Sequence, residues 1–186
     1  INIVFNIIDA SFNNENSLFS GTKNLMSHFF SKSSYISETE YFDFTEINFE
    51  LQTTSNDNYL KTYDLNSPII NSQNTLTSKF SFEGSNEDLD FNISTEIYED
   101  LSKKNDSDKY EVILPNFNFS KNFETTFDGS LTLNNLGYNK IFDTNINEKV
   151  FINNLFYKSL DKINDIGFIN NYEVSLKNFN ADSNNS

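Results

Sequence analysis

Cysteine and tryptophan are absent from these 186 residues, which hold only two prolines, five glycines, one methionine and one histidine. Without cysteine there is no disulfide framework, no thiolate zinc site and no cysteine nucleophile. Basic residues are scarce as well: 13 Lys and Arg stand against 27 Asp and Glu, a formal charge of −14. Lys103-Lys104 is the one adjacent basic pair, so nucleic-acid binding lacks its electrostatic footprint. No apolar run approaches the ~20 residues of a transmembrane helix. Nor does a secretory signal open the chain. Ile1 begins a strand-like stretch with neither Met nor a basic start before it, and we read the chain as a segment of something longer.

What is present is an unusual load of rings. The chain has 20 Phe and 9 Tyr, and aromatics make up 16% of it, although hydrophobic residues reach only 37%. That balance is thin for a compact soluble core and too aromatic for a disordered chain. Asn is about one residue in six, a bias that records an AT-rich genome more often than a function.

The hydrophobic pattern has period two. Leu89, Phe91, Ile93, Thr95 and Ile97 alternate with Asp90, Asn92, Ser94, Glu96 and Tyr98, which gives a strand with one apolar and one polar face. Leu76, Phe80 and Phe82 precede it in the same rhythm, and Glu83-Gly84-Ser85-Asn86-Glu87 supplies the hairpin turn. Phe42 and Phe44 alternate before Ile47, Phe49 and Leu51 resume in the opposite phase, as a bulge would produce. Ser55–Asn58 turns the chain into Tyr59–Tyr63. Val112 and Leu114 precede Pro115, with Phe117 and Phe119 out of phase after it, so Pro115 marks a bulge, an edge or a strand boundary. Leu131 and Leu133 follow Gly129, and Asn134-Asn135-Leu136-Gly137 reads as the next turn. Leu155, Phe156, Leu160 and Ile163 are read as strand, and Phe168, Tyr172, Val174 and Leu176 as one face. Polar connections fall near Asn13–Asn16, Lys103–Asp108, Asp143–Glu148 and Asp161–Gly167, and Asn180–Ser186 reads as a loop. The expected fold is all-β, with roughly eight to ten antiparallel strands of about 8–12 residues in up-and-down order.

Both a soluble sandwich and an outer-membrane barrel produce such strands. Hairpin succession, acids and Asn well inside the strands, and aromatics near strand ends (Tyr98, Tyr110, Tyr157, Phe168) favour the barrel. Pattern alone leaves the two near even.

Certain words in the chain say more. Asn58-Tyr59-Leu60-Lys61-Thr62-Tyr63-Asp64 is followed by Phe80-Ser81-Phe82-Glu83-Gly84, then Glu96-Ile97-Tyr98-Glu99-Asp100-Leu101. Next come Tyr110-Glu111-Val112-Ile113-Leu114-Pro115-Asn116-Phe117-Asn118-Phe119-Ser120 and Phe127-Asp128-Gly129-Ser130-Leu131. In this order they resemble the barrel domain of the lipopolysaccharide-assembly outer-membrane proteins, the LptD family, and alphaproteobacterial members in particular. In those members an "FL…Y-D" strand, a "Y-x-D-L" strand, a "V-x-L-P" strand and a "G-x-L" strand follow one another. Ser27-His28-Phe29-Phe30 is similar to an early strand of that barrel. The resemblance spans roughly Asn24 to Asn180.

The resemblance implies that residues 1–186 are one partial domain from the middle of a transmembrane β-barrel, with no internal boundary. Family members carry lipopolysaccharide to the outer leaflet and make or break no bond. The implied partners are lipopolysaccharide, an LptE-like plug lipoprotein, periplasmic bridge proteins and outer-membrane lipid. Pro68 and Pro115 lie in the wrong part of the motif order for the family's gate prolines, so the gate is not carried over. A passive porin-like or adhesin-type outer-membrane β domain is the alternative, and a soluble ligand-binding sandwich comes third.

Catalytic, cofactor and metal residues are not expected. A serine triad needs a histidine, and His28 sits in a strand-like stretch where a ring with satisfied hydrogen bonds needs no special role. Glu87-Asp88-Leu89-Asp90 and Asn105-Asp106-Ser107-Asp108 lack calcium-loop spacing and read as solvated turns. Lipopolysaccharide is anionic, so an acidic conduit repels its phosphates. Asn92 and Glu96 are therefore expected to face a wet lumen without touching the lipid's head.

Overall fold

The computed structural model describes residues 2–16, 23–126, 128–142 and 146–185. Nine long strands form one antiparallel sheet: β1 (Ile3–Asn16), β2 (Lys23–Ser37), β3 (Phe44–Thr54), β4 (Thr75–Ser85), β5 (Leu89–Asp100), β6 (Tyr110–Glu124), β7 (Gly129–Phe142), β8 (Ile146–Ser159) and β11 (Glu173–Asn185). Neighbours in the chain are neighbours in the sheet, interrupted by a small β9–β10 hairpin (Lys162–Ile163 and Ile169–Asn170) between β8 and β11. The expected all-β, up-and-down architecture is present. Closure is not: β1 and β11 are the two edges and pair only inward. One end of the sheet carries the single helical turns α1 (Tyr59–Thr62) and α2 (Asp106–Lys109), and the other carries the β9–β10 hairpin.

Register decides which side chains share a face, because opposed residues in an antiparallel pair point the same way. A single row of opposed residues crosses the whole sheet: Val4, Tyr35, Ile47, Phe82, Ile93, Phe117, Gly137, Phe151 and Asn180. Seven of the nine are large and apolar, and they define an apolar face. The alternate residues of β3 to β6 (Glu46, Asn48, Glu50; Lys79, Ser81, Glu83; Asn92, Ser94, Glu96; Asn116, Asn118) define a polar face.

The β4–β5 hairpin forms where expected. Asn86 closes it, its side-chain oxygen accepting the N–H groups of Asp88 and Leu89. Pro115 sits at a bulge: the register of β6 shifts between Ile113 and Asn116 against both neighbours. The one extra residue turns Phe117 and Phe119 back onto the face that Val112 occupies, which accounts for the change of phase.

Other expectations are corrected. No bulge occurs in β3. Phe42 precedes the strand, and its ring lies over Gly84. Tyr59–Tyr63 is not a strand but begins with α1, because residues four apart meet on one turn of helix and bring the rings of Tyr59 and Tyr63 to 5.2 Å. Asn134–Gly137 is not a turn: β7 runs through it without a shift in register. Asn13–Asn16 and Asn180–Asn185 lie in β1 and β11, and Ile146–Glu148 opens β8, while 143–145 fall outside the described residues. In each case a polar stretch continues the ladder through its backbone, which needs no apolar side chains at an edge or at a solvated strand end. The strands accordingly run to 11–15 residues, longer than expected.

Asn134–Gly137 has another role. Leu131 and Leu133 point to the apolar face, but Leu136 and Tyr138 point to the polar one. The same inversion occurs in β11 across Lys177-Asn178, whereas β8 carries apolar residues on both faces on either side of Asn153-Asn154: Phe151, Leu155 and Tyr157 on the apolar face and Val150, Ile152 and Phe156 on the polar one. Register aligns these positions into a seam, Asn135–Asn153–Asn178 on one face and Asn134–Asn154–Lys177 on the other.

A small core lies at the helical end, where the 55–74 connection meets the sheet. Tyr59, Leu60 and Ile69 from the 55–74 connection pack with Phe30, Leu76 and Leu101, flanked by Ile7 and Met26. Elsewhere the sheet bends closely around its aromatics. A Cβ on Gly137 would lie 2.9 Å from both the Phe117 ring and the Val150 carbonyl oxygen, and the Phe117 and Phe151 rings approach to 6.0 Å across it. Gly137→Ala is expected to destabilise the sheet by about 1–3 kcal/mol through overpacking. An unchanged urea midpoint would show that the ring moves aside at no cost.

Candidate functional site

The polar face carries the most organised chemistry. Lys32, Glu50, Lys79 and Glu96 are opposed in turn across β2 to β5, so charge alternates in sign along a ladder. Lys32 and Glu50 are 3.4 Å apart, and Lys79 and Glu96 are 3.0 Å apart. Opposite charges across a strand pair contribute about 0.2–1 kcal/mol each, so the ladder stitches four strands without an apolar core above it. Glu96 is further held by the Tyr98 and Ser94 hydroxyls. Above the ladder the face stays polar: Ser34 donates to Glu46 at 3.0 Å, and Asn48, Ser81 and Ser94 form the adjoining row. A groove of about 430 Å³ runs over it.

Toward the helical end, β3 and β4 separate, and the buried Gln52 side chain fills the gap. Its amide oxygen accepts the Thr77 N–H at 2.9 Å, and its nitrogen donates to Glu50 and to the Ile69 carbonyl. One side chain thus replaces a ladder bond and anchors the 55–74 connection.

His28 is buried beside it at 3% exposure. Its two ring nitrogens lie 3.2 Å from the Tyr59 hydroxyl and 3.2 Å from an Asp9 carboxylate oxygen. The Ser67 side chain also hydrogen-bonds Asp9. Both ring nitrogens are therefore engaged, with a tyrosine and an aspartate rather than a serine hydroxyl. This relay ties β1 and β2 to the connection that covers them.

The remaining candidate residues are scattered. Glu87, Asp88 and Asp90 are exposed around the β4–β5 turn, and Lys103 and Lys104 are exposed before α2. Asn105 and Asp108 flank residues whose side chains lie outside the described set. Among the described residues no group of three or more His, Asp or Glu is arranged to hold a metal ion. Asn92 and Glu96 both lie on the polar face, Asn92 half-buried and Glu96 buried at 9% exposure. Lys109 carries an unexpected bridge, 2.8 Å from Asp57 and 2.7 Å from Glu99. Burial alone would push its ammonium toward a lower pKa, but hydrogen bonds to Asp57 and Glu99 outweigh that and hold it above the ordinary lysine value.

No protein-family model, curated protein or solved structure matches the chain. Among the described residues no helix is long and apolar enough to cross a membrane, which leaves strand-based spanning open.

Sequence reasoning missed Asp9, Gln52, Asn135, Asn153 and the ladder partners of Glu96. Each gains its role from a residue in another strand, so only the register reveals it.

Two outcomes follow from this geometry. His28→Leu leaves Asp9 and the Tyr59 hydroxyl without their shared partner, at about 1–3 kcal/mol. Trypsin should then cut faster at Lys61, and an unchanged rate would refute the tie. Because the Lys109 pKa is higher in the folded state, its contribution to stability is fully present below the unfolded lysine value of about 10.4 and lost as pH rises through the higher folded value. Lys109→Met should flatten the alkaline fall in unfolding midpoint. An unaltered alkaline profile in that variant would remove Lys109 as its source.

Proposed function

We propose that this chain forms part of the wall of an outer-membrane β-barrel, with its apolar face against lipid and its polar face on a wet lumen. The observation that carries this reading is the path of the apolar residues across the sheet. On β1 and β3 they extend from the central row toward the helical end, through Ile8 and Phe12 and through Phe49 and Leu51. On β5 and β6 they straddle it, from Phe91 to Ile97 and from Phe119 to Val112. On β7 and β11 they lie mainly on the hairpin side, at Leu131 and Leu133 and at Val174 and Leu176, and on β8 they run from the row itself toward the hairpin, from Phe151 to Leu155 and Tyr157.

The band therefore drifts by about one residue per strand. With ~3.3 Å per residue and ~4.8 Å between strands, the strands stand at roughly 35–40° to the normal of the band, within the ~35–45° range of transmembrane barrels. A band that is level only when the strands are tilted suits a flat bilayer. Exposure agrees: Phe49, Phe80, Ile97, Phe123 and Phe151 on this face are all open, and each gains about 1.5–3 kcal/mol when an apolar side chain leaves water.

Within that class, we assign the chain to a lipopolysaccharide translocon of the LptD type rather than to a passive porin. What supports the choice is the order of the motif words. Phe80–Gly84 falls on β4, Glu96–Asp100 on β5, Tyr110–Ser120 on β6 and Gly129–Leu131 on β7, each on the next strand. The word Asn58–Asp64 departs from it, since it forms α1 and a loop instead of a strand. The acidic wall surrounds a lumen whose surface does not contact the lipid's phosphates. An LptE-like plug and periplasmic bridge proteins are the partners of this reading.

Depleting the protein in its host should lower the amount of newly made lipopolysaccharide at the cell surface. Normal surface delivery with altered small-solute permeability would favour the porin instead. Photocrosslinkers at Asn92 and Glu96 should capture little lipopolysaccharide, and heavy capture would overturn the idea of a wall held away from the head.

A further inference from the structure

The 160–172 connection is unlike the others at its end of the sheet. Leu160, Ile163, Ile166, Phe168, Ile169 and Tyr172 are 61–81% exposed, whereas the 38–43 connection exposes one large ring, Tyr41, among Glu38, Glu40 and Asp43, and the 86–88 connection carries Glu87 and Asp88. It is nonetheless well organised. Ile163 pairs with Ile169, and Lys162 with Asn170. Asn164 closes the turn: its side-chain oxygen accepts the N–H groups of Ile166 and Phe168 at 3.1 and 2.9 Å, and its carbonyl accepts that of Gly167. Gly167 has φ of +87°, a conformation suited to glycine. The base is fastened by Ser159 and Tyr172, by Leu160 N–H to the Asp128 carbonyl, and by the Lys162–Asp128 pair at 3.0 Å.

The asparagine seam explains why apolar side chains are needed there. On the apolar face β8 offers Phe151, Leu155 and Tyr157 before it ends at Ser159, and β11 contributes only Val174 and Leu176 before Lys177-Asn178. A strand needs ~9–11 residues to cross a bilayer, so the apolar stretch of β11 stops short of the band's far rim. The hairpin continues from that point, with apolar side chains outward. The N–H groups of Asn164, Ile166, Gly167 and Phe168 in its turn are satisfied internally, which suits a medium poor in water. Asp161, Lys162 and Asp165 keep it at the headgroup boundary rather than in the hydrocarbon centre.

We propose that the β9–β10 hairpin inserts into the lipid interface and completes the apolar band where β8 and β11 end. This rests on the barrel reading above, and the test separates the two. These 186 residues lack Trp, so Ile166→Trp and, independently, Ile163→Trp each add one reporter to the segment, read as the difference from the unsubstituted protein folded into phosphatidylcholine vesicles. Each should emit to the blue of water-exposed indole and lose intensity with lipids brominated near the headgroup, while aqueous iodide has little effect. Water-like emission with full iodide quenching at both positions overturns the proposal. Phe80→Trp, central on the apolar face, tells which idea failed. If lipid brominated along the chain quenches Phe80→Trp while the hairpin reporters stay in water, only the hairpin assignment falls. If Phe80→Trp is also in water, the barrel reading falls and the hairpin proposal with it.

Discussion

The structure depends on the backbone ladder, and above all on its register. Nine strands pair in chain order, and within that ladder a shift of one residue would exchange the apolar and polar faces of a strand. The small core at the helical end cannot set this register for the whole sheet, since it reaches only Phe30, Leu76, Leu101 and the residues around α1. Cross-strand pairs do it instead. On the apolar side they are rings against β-branched residues or glycine, as in Ile93–Phe117–Gly137–Phe151. On the polar side they are alternating charges, as in Lys32–Glu50–Lys79–Glu96.

The two faces meet different physical demands. A polar face that stays wet can hold acids and amides deep inside strands, because water or a neighbouring strand satisfies them. An apolar face that no second layer covers must find lipid or another apolar surface. On β7 and β11 these demands exchange sides at Asn134-Asn135 and Lys177-Asn178, on either side of Asn153-Asn154 of β8, with no bulge to mark the change. At the helical end the 55–74 connection meets the sheet through Gln52, His28 and Asp9, so its polar contacts are as specific as its packing.

Much of the fold was legible in local chemistry. Leu89–Tyr98 alternates so strictly, and Asn86 is so apt for a turn, that the β4–β5 hairpin could be read directly. Pro115 and the change of phase around it signalled a bulge, an edge or a strand boundary, and the register made it a bulge. Asparagine caused the errors. Asn134-Asn135 carries turn chemistry, yet it continues a strand because both its faces border polar neighbours there, Asn153 and Asn154. Tyr59–Tyr63 alternates like a strand, but its rings find more contact on a turn of helix over Phe30. The ladder charges were visible one at a time and uninformative until paired.

By itself, the sequence determined that the chain is β, antiparallel, acidic and two-faced, because period-two alternation and turn residues act over a few neighbouring positions. Only the tertiary structure decided which residues oppose one another. That placed His28 between Asp9 and Tyr59, aligned the asparagine seam across three strands, and set the apolar band at its slant to the strands. Those relations join residues many positions apart, and no local preference encodes them. They arise when backbone pairing brings distant strands into one register.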